Sequence, residues 1–253
     1  HYAQATLFWE SQTAWEKEHI VGGFRFELSK LTVPAIRTRM LASLVNVAPE
    51  LAQGVALGLG MEVPTGMPRA TGRRVKPEVT VSPSLSLTAL PGDGGIRTRK
   101  IALLVADGVD GAPLLAAWKS LLAAGAVPVF VAPRLGTVAT ADGVPIEAMA
   151  TLENSPPVLF DGVVLPDGDE GVAALAAQRQ TRPFVADQYL HCKTILAMGA
   201  AQRLLDDAGV SALLPAGDDD PGLIVAAASD AKSAIERFAH AVGKHRHPVR
   251  DGD

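Results

Sequence analysis

The sequence predicts an α/β fold for its larger part: a parallel sheet covered by helices on both faces, preceded by a helical segment and a long connector. Three observations predict it. From Lys100 onward, short continuous apolar runs alternate with helical patterns. The runs lack the apolar/polar alternation of a half-exposed sheet, so both faces of each strand must be buried. Before residue 61 the apolar residues instead recur at helical spacing. The 253 residues are 48% apolar and 20% charged, a globular composition with enough chain for a sizeable core.

The elements follow in order. Thr13 and Glu16 have capping-box spacing, and Ile20, Val21, Phe24 and Leu28 then share one face, which predicts a helix running through Gly22-Gly23. Pro34 suits the first turn of a second helix with the stripe Ile36, Met40, Leu41 and Leu44. Leu51, Val55 and Leu59 mark a third, stopped by Gly60. Residues 1–60 are thin for a core of their own and are expected to be an incomplete domain. From 61 to 99, prolines 64, 68, 77, 83 and 91 dissolve the pattern, and only VTVSPSLSL hints at extended backbone. A connector this long is expected to wrap over a surface.

Residues 100–253 form the α/β part. KIALLVADG is a buried strand, APLLAAWKSLLAAG a helix ended by Gly125, and VPVFVAP a second buried strand, together one βαβ unit. A hairpin is predicted around Ala141-Asp142-Gly143. FDGVVLPDG is a third strand, EGVAALAAQ a helix, and KTILAMGA a strand running into the helix AAQRLLDDAG. SALLPAG and GLIVAAA are weaker strands, and DAKSAIERFAHAV is a closing helix.

Charge excludes some classes. The net charge is −4, with 11 basic and 8 acidic groups in residues 1–99 against 12 and 19 in residues 100–253, too weak an excess for nucleic acid. Arg69, Arg73, Arg74 and Lys76 lie in a Pro/Gly-rich stretch without aromatic residues and read as a solvated connector. The longest unbroken apolar stretches are six residues, against roughly 20 for a membrane span, so no membrane partner is expected. The lone Cys192 excludes an internal disulfide framework and fits a reducing compartment. The chain opens on His1 with neither a basic region nor a small-residue cleavage site, and is expected to be a fragment of a longer protein.

Ligands of such sheets bind beyond the carboxyl ends of the strands, which points to the turns 106–110, 167–170 and 198–201. None is a phosphate loop, since both G-x-G-x-x-G and the P-loop pattern are absent there. Cys192 beside His191 has the types of a nucleophile and base, yet sequence neighbours point apart and the pair precedes its strand instead of following it. His245 and His247 could share a metal ion only in extended backbone, and read as a solvated terminus. His19 reads as a capping or interface residue. Asp107 and Asp110 could be an acid/base pair, but strand-end aspartates more often cap the next helix.

The motifs QATLFW, EKEHIV, FRFELSK, IRTRML and LAQGVALGLG resemble the helical region of monofunctional haem catalases. RKIALLVADGVDG, FDGVVLPDG, FVADQYLHCKTILAMG and HAVGKHRHPVR are similar to the extra C-terminal domain of the large-subunit members. The resemblance covers nearly the whole chain and implies a flavodoxin-like domain, related to the class I glutamine amidotransferases and the DJ-1/PfpI group, at residues 100–253. It implies a parent that decomposes hydrogen peroxide to water and oxygen at a haem, a cytoplasmic homotetramer acting in the oxidative stress response. The partners implied are the core domain and the other subunits. The family's distal histidine, distal asparagine and proximal tyrosine find no matching motif here, and neither Tyr2 nor Tyr189 stands in an R-x-x-x-Y setting. No haem, no metal and no catalytic residue is therefore expected in this chain alone. In the DJ-1/PfpI group the nucleophilic cysteine sits in a strand-to-helix elbow; laid on that pattern, ILAMGAAQ puts Gly199 at its position, a degenerate elbow. The implied role is structural. The alternatives are a DJ-1/PfpI-like hydrolase or deglycase using Cys192, and a holdase-type chaperone module.

Overall fold

A computed structural model describes residues 2–71, 77–89, 93–214 and 217–250. The chain divides into two compact units, residues 1–91 and 92–253.

The first unit is helical. α1 (Tyr2–Glu10) precedes the three helices expected from the sequence, α2 (Ala14–Ser29), α3 (Pro34–Val45) and α4 (Pro49–Leu59). Trp9, Leu28, Leu41, Leu44, Leu51 and Val55 meet in a core that also takes Ala52 and Ala56. Gly60 ends α4 at φ +63°, where a side chain would strain the backbone. Of the stripe predicted on α3, Leu41 and Leu44 are buried while Ile36 and Met40 are exposed. That helix therefore has an apolar face left uncovered by the described residues of this unit.

After α4 the chain is tied back at Met67. The Met67 N–H donates to the Ala42 carbonyl (2.9 Å), and Asn46 Nδ2 donates to the Met67 carbonyl (2.8 Å). VTVSPSLSL is not extended: Pro83–Leu85 and Leu87–Ala89 are two 3-10 turns. Pro83 sets a helical φ at the first of them, overriding the serine/leucine alternation. The turns are tied to the α1–α2 junction, where Gln12 Nε2 donates to the Leu85 carbonyl (3.2 Å), and to Glu16 of α2, which accepts from Ser86 and Leu87. Arg73, Arg74 and Lys76 lie outside the described residues; Arg69 Nε reaches Asn46 Oδ1 at 3.2 Å.

The second unit is a three-layer α/β/α sandwich. Its sheet contains β1 (Lys100–Leu104), β2 (Val127–Ala132), β5 (Ala150–Thr151), β6 (Gly162–Leu165), β7 (Thr194–Met198) and β8 (Leu223–Ala226), all parallel, in the order β5-β2-β1-β6-β7-β8. β3 (Gly136–Val138) and β4 (Ile146–Ala148) form the predicted hairpin. With the two-residue β5 set aside, the order of the remaining strands is the 2-1-3-4-5 winding of a flavodoxin-like fold, whose switch point lies between β1 and β6.

Alternation within each strand divides the core. Ile101 and Leu103 of β1 face α5 (Gly111–Ala123) and α9 (Ala231–Gly243), packing with Leu114, Leu121, Ile235 and Phe238. Ala102 and Leu104 face the opposite layer, α6 (Asp169–Ala176), α7 (Thr181–Leu190) and α8 (Gln202–Ala208), packing with Leu175, Phe184 and Leu205. Helices on both faces are what the unbroken apolar strands require. SALLPAG forms no strand among the described residues, only an isolated bridge between Leu213 and Asp219.

Candidate functional site

The carboxyl ends of β1, β6 and β7 converge at the switch point. Gly199 follows β7 directly, begins a 3-10 turn into α8 and has φ +48°. This strand–sharp turn–helix course is that of a nucleophile elbow. A side chain at this position would collide with its neighbour, because a Cβ built on Gly199 would overlap the Asp167 carboxyl group. Asp167 Oδ1 accepts hydrogen bonds from the Gly168 and Ala200 N–H groups, both at 2.8 Å.

The neighbouring turns are closed in the same way. Asp142, from the β3–β4 loop, accepts from the Ala112 N–H (2.7 Å) and the Gly111 N–H (3.1 Å), and so caps α5. The Ala112 hydrogen bond first, against a smaller opposing effect of burial, holds the Asp142 carboxyl below its usual range. Asp107 accepts from the Ala139 N–H (2.8 Å) and from Arg134 Nη2 (3.0 Å), with the same downward direction and the Ala139 bond as first cause. Asp110 occupies the N-cap position of α5 without a side-chain cap bond. Burial, then the charges of Asp167, Asp142 and Asp169, push its carboxyl upward. The capping expectation for Asp107 and Asp110 is thus corrected: the third aspartate, Asp142, supplies the cap, because the hairpin lays it across the start of α5. A Cβ on Gly168 would come within 2.8 Å of the Gly108 carbonyl oxygen, so the loops after β1 and β6 touch backbone to backbone.

The other sequence candidates lie elsewhere. Cys192 is buried two residues before β7, at the far end of that strand from Gly199, with φ +55°; His191 beside it is exposed. Five residues of parallel strand separate the two ends by roughly 17 Å, so Cys192 and the elbow cannot form one site. His19 makes an edge contact with Trp15, ring centroids 5.4 Å apart. No group of three metal-ligating side chains occurs among the described residues.

His247 overturns the reading of a solvated terminus. It is buried, shares a 3.0 Å hydrogen bond between Nε2 and Thr194 Oγ1, and donates its N–H to the Cys192 carbonyl (2.8 Å). Burial and then the charge of Arg250 push its imidazole down to about 4, against the opposing pull of Asp220. The unfolded chain therefore takes up a proton near pH 6.5 while the folded chain does not until about pH 4. Stability is expected to fall with pH across that window, by about 2 kcal/mol at pH 5 relative to pH 8, measured by urea unfolding. In His247→Gln that part of the pH dependence should vanish.

Spacing missed Asp167, Asp142 and the Arg250–Asp220 pair, which sit on separate elements. Besides the strand-exit position of 167–170, the sequence signal was the Asp-Gly dipeptide at 107–108, 142–143 and 167–168, which reads equally as a turn.

Residues 97–251 match the family described as the C-terminal domain found in long catalases, and residues 1–59 match the one described as catalase-related immune-responsive. Among curated proteins the chain is 38% identical to catalase C of Rhizobium meliloti over 247 residues, covering 97% of this chain and 34% of that protein. It is 35% identical to catalase HPII of Pseudomonas putida over 248 residues, covering 97% of this chain and 32% of that protein. It spans about a third of the length of these relatives. With a flavodoxin-like sheet following a helical unit, and both matched in the order the long catalases have them, the chain belongs to that family, as a C-terminal part of a large-subunit catalase.

Proposed function

We propose that these residues are the structural and assembly portion of an enzyme that converts hydrogen peroxide to water and oxygen at a haem held by sequence outside this chain. The observation that carries the structural role is the elbow: at the position a thiol would need stands Gly199, with a carboxylate filling the space above it. In this reading neither tyrosine is an iron ligand. Tyr189 has the Arg250 guanidinium 4.4 Å from its ring centroid, and Tyr2 has that of Arg69 at 5.9 Å.

The exposed Phe26, Ile36, Met40 and Leu57 of the helical unit are the surface assigned to the core domain, and through it to the oligomer. A place in the cytoplasm goes with this reading; no described helix is long and apolar enough to cross a membrane. The test is direct. Purified 1–253 mixed with haem and passed over a desalting column is expected to retain no Soret band and to give no oxygen from peroxide, whereas the same residues joined to the upstream sequence should retain the one and give the other. A Soret band with turnover from 1–253 alone would defeat the proposal. The hydrolase alternative makes its own claim: if Cys192→Ala abolished an esterase or deglycase activity of the chain, it would replace this reading.

A further inference from the structure

Nucleophile elbows stabilise the oxyanion of an acyl-transfer intermediate with two backbone N–H groups. One comes from the residue after the nucleophile and the other from a neighbouring strand-exit loop. The corresponding groups here are the Ala200 N–H, directly after Gly199, and the Gly168 N–H, from the exit of the adjacent strand β6. A single atom, Asp167 Oδ1, accepts from both at 2.8 Å. The rest of that carboxyl group occupies the volume in which a Cβ on Gly199 would stand. The backbone of Asp167 is fixed as well, since its main-chain carbonyl accepts the Asp110 N–H at 3.0 Å across the switch point.

We propose that Asp167 is an internal ligand of this elbow: a carboxylate supplied by the chain itself occupies the cradle where an acyl oxygen would be held, and keeps the site closed. Elbow chemistry is then blocked twice, by the missing thiol and by the filled cradle, and restoring the thiol alone does not restore it. The inference shares with the structural reading only the identification of Gly199 as the elbow; a Cys192-dependent activity would defeat that reading and leave this one standing.

The experiment uses the full chain in a Cys192→Ala background, so that the only thiol is the one introduced. In Gly199→Cys the new sulfur is pressed against the Asp167 carboxylate, which disfavours the thiolate, and alkylation by iodoacetamide at neutral pH should be slower than that of free cysteine. In Asp167→Gly/Gly199→Cys the two N–H groups are released to the sulfur and to a bound oxyanion. Alkylation should be about tenfold faster or more than in the single variant. With p-nitrophenyl acetate the thiolate attacks the carbonyl carbon, the tetrahedral oxyanion collapses, and p-nitrophenolate leaves. One equivalent should be released and an acetyl thioester should remain on Cys at position 199. Equal rates in the two variants, or a single variant as reactive as the double, would overturn the proposal.

Should the cysteine variants not fold, amide hydrogen exchange decides it without them. Asp167→Ala should speed exchange at Gly168 and Ala200 by about tenfold, while Asp167→Asn, which keeps an acceptor oxygen, should leave it near wild type. Unchanged exchange in Asp167→Ala would count against the internal ligand.

Discussion

Arg250→Ala is expected to destabilise the α/β unit by about 3–5 kcal/mol, because it strands a buried carboxylate. The side chains of Arg250 and Asp220 are 3% and 0% exposed, and the guanidinium meets both carboxylate oxygens, Nε to Oδ2 at 2.7 Å and Nη2 to Oδ1 at 3.1 Å. Its Nη1 donates to the Lys193 carbonyl at 2.7 Å, and its plane lies over Tyr189. Asp220 Oδ1 also accepts the Gly222 N–H at 2.8 Å, at the entry to β8. The pair thus ties the chain terminus and the β8 loop to the amino end of β7. Arg250→Lys should recover little, since an ammonium cannot make a two-pronged contact and reach a carbonyl at the same time. The pair Arg250→Met with Asp220→Leu should recover most of the loss, because it removes both charges together. Urea unfolding of the four proteins checks the order; an alanine variant within about 1 kcal/mol of wild type would show that the pair contributes little beyond a surface bridge.

The second large effect is in the helical unit, where Glu16→Ala is expected to cost about 3 kcal/mol and to free the turns at 83–89. The Glu16 carboxylate is buried and accepts four hydrogen bonds. Oε2 takes the Thr13 N–H (2.8 Å), Thr13 Oγ1 (2.9 Å) and Ser86 Oγ (2.9 Å), and Oε1 takes the Leu87 N–H (2.7 Å). Burial alone would raise its carboxyl; the bonds from Thr13, Leu87 and Ser86 outweigh it and hold the group below the ordinary carboxylate value. The latch therefore contributes stability above the unfolded carboxylate range, and loses it as pH falls through the lower folded value. Chymotryptic cleavage after Leu85 or Leu87 should be rapid in Glu16→Ala and slow in wild type at pH 7, and in acid, where chymotrypsin is inactive, pepsin should cut the same turns of wild type. Resistance in the alanine variant would mean that Ser11, whose Oγ accepts the Ser82 N–H at 2.9 Å, and Gln12, whose Nε2 donates to the Leu85 carbonyl at 3.2 Å, hold the turns without Glu16.

Glu16 also marks where spacing stops being informative. Four residues identified it as half of a capping box, a local contact that the structure contains; its other two partners lie about 70 residues away and have no signature. α7 escaped notice because only Phe184, Val185 and a few polar residues of its ten turn inward, too sparse a stripe to count. The aspartates at the strand exits were visible as turn residues. That one of them closes an elbow depended on β6 and β7 being neighbours, which periodicity does not state. Of the two terminal histidines His245 is exposed as a solvated tail would have it, whereas His247 is buried beside an ion-paired network spread over 61 residues that no sequence pattern announces.

Composition and periodicity by themselves determined the layered α/β class and the helical segment before it, and the resemblance to the DJ-1/PfpI group pointed to Gly199 as a degenerate elbow. Each depends only on side-chain type at positions close together in the chain. Tertiary structure alone decided which carboxylate meets which backbone donor, and so made one aspartate a plug, another a cap and a third the partner of a terminal arginine. Such pairings link strands and loops far apart in sequence, and their energy comes from desolvation and geometry that exist only once the sheet has formed.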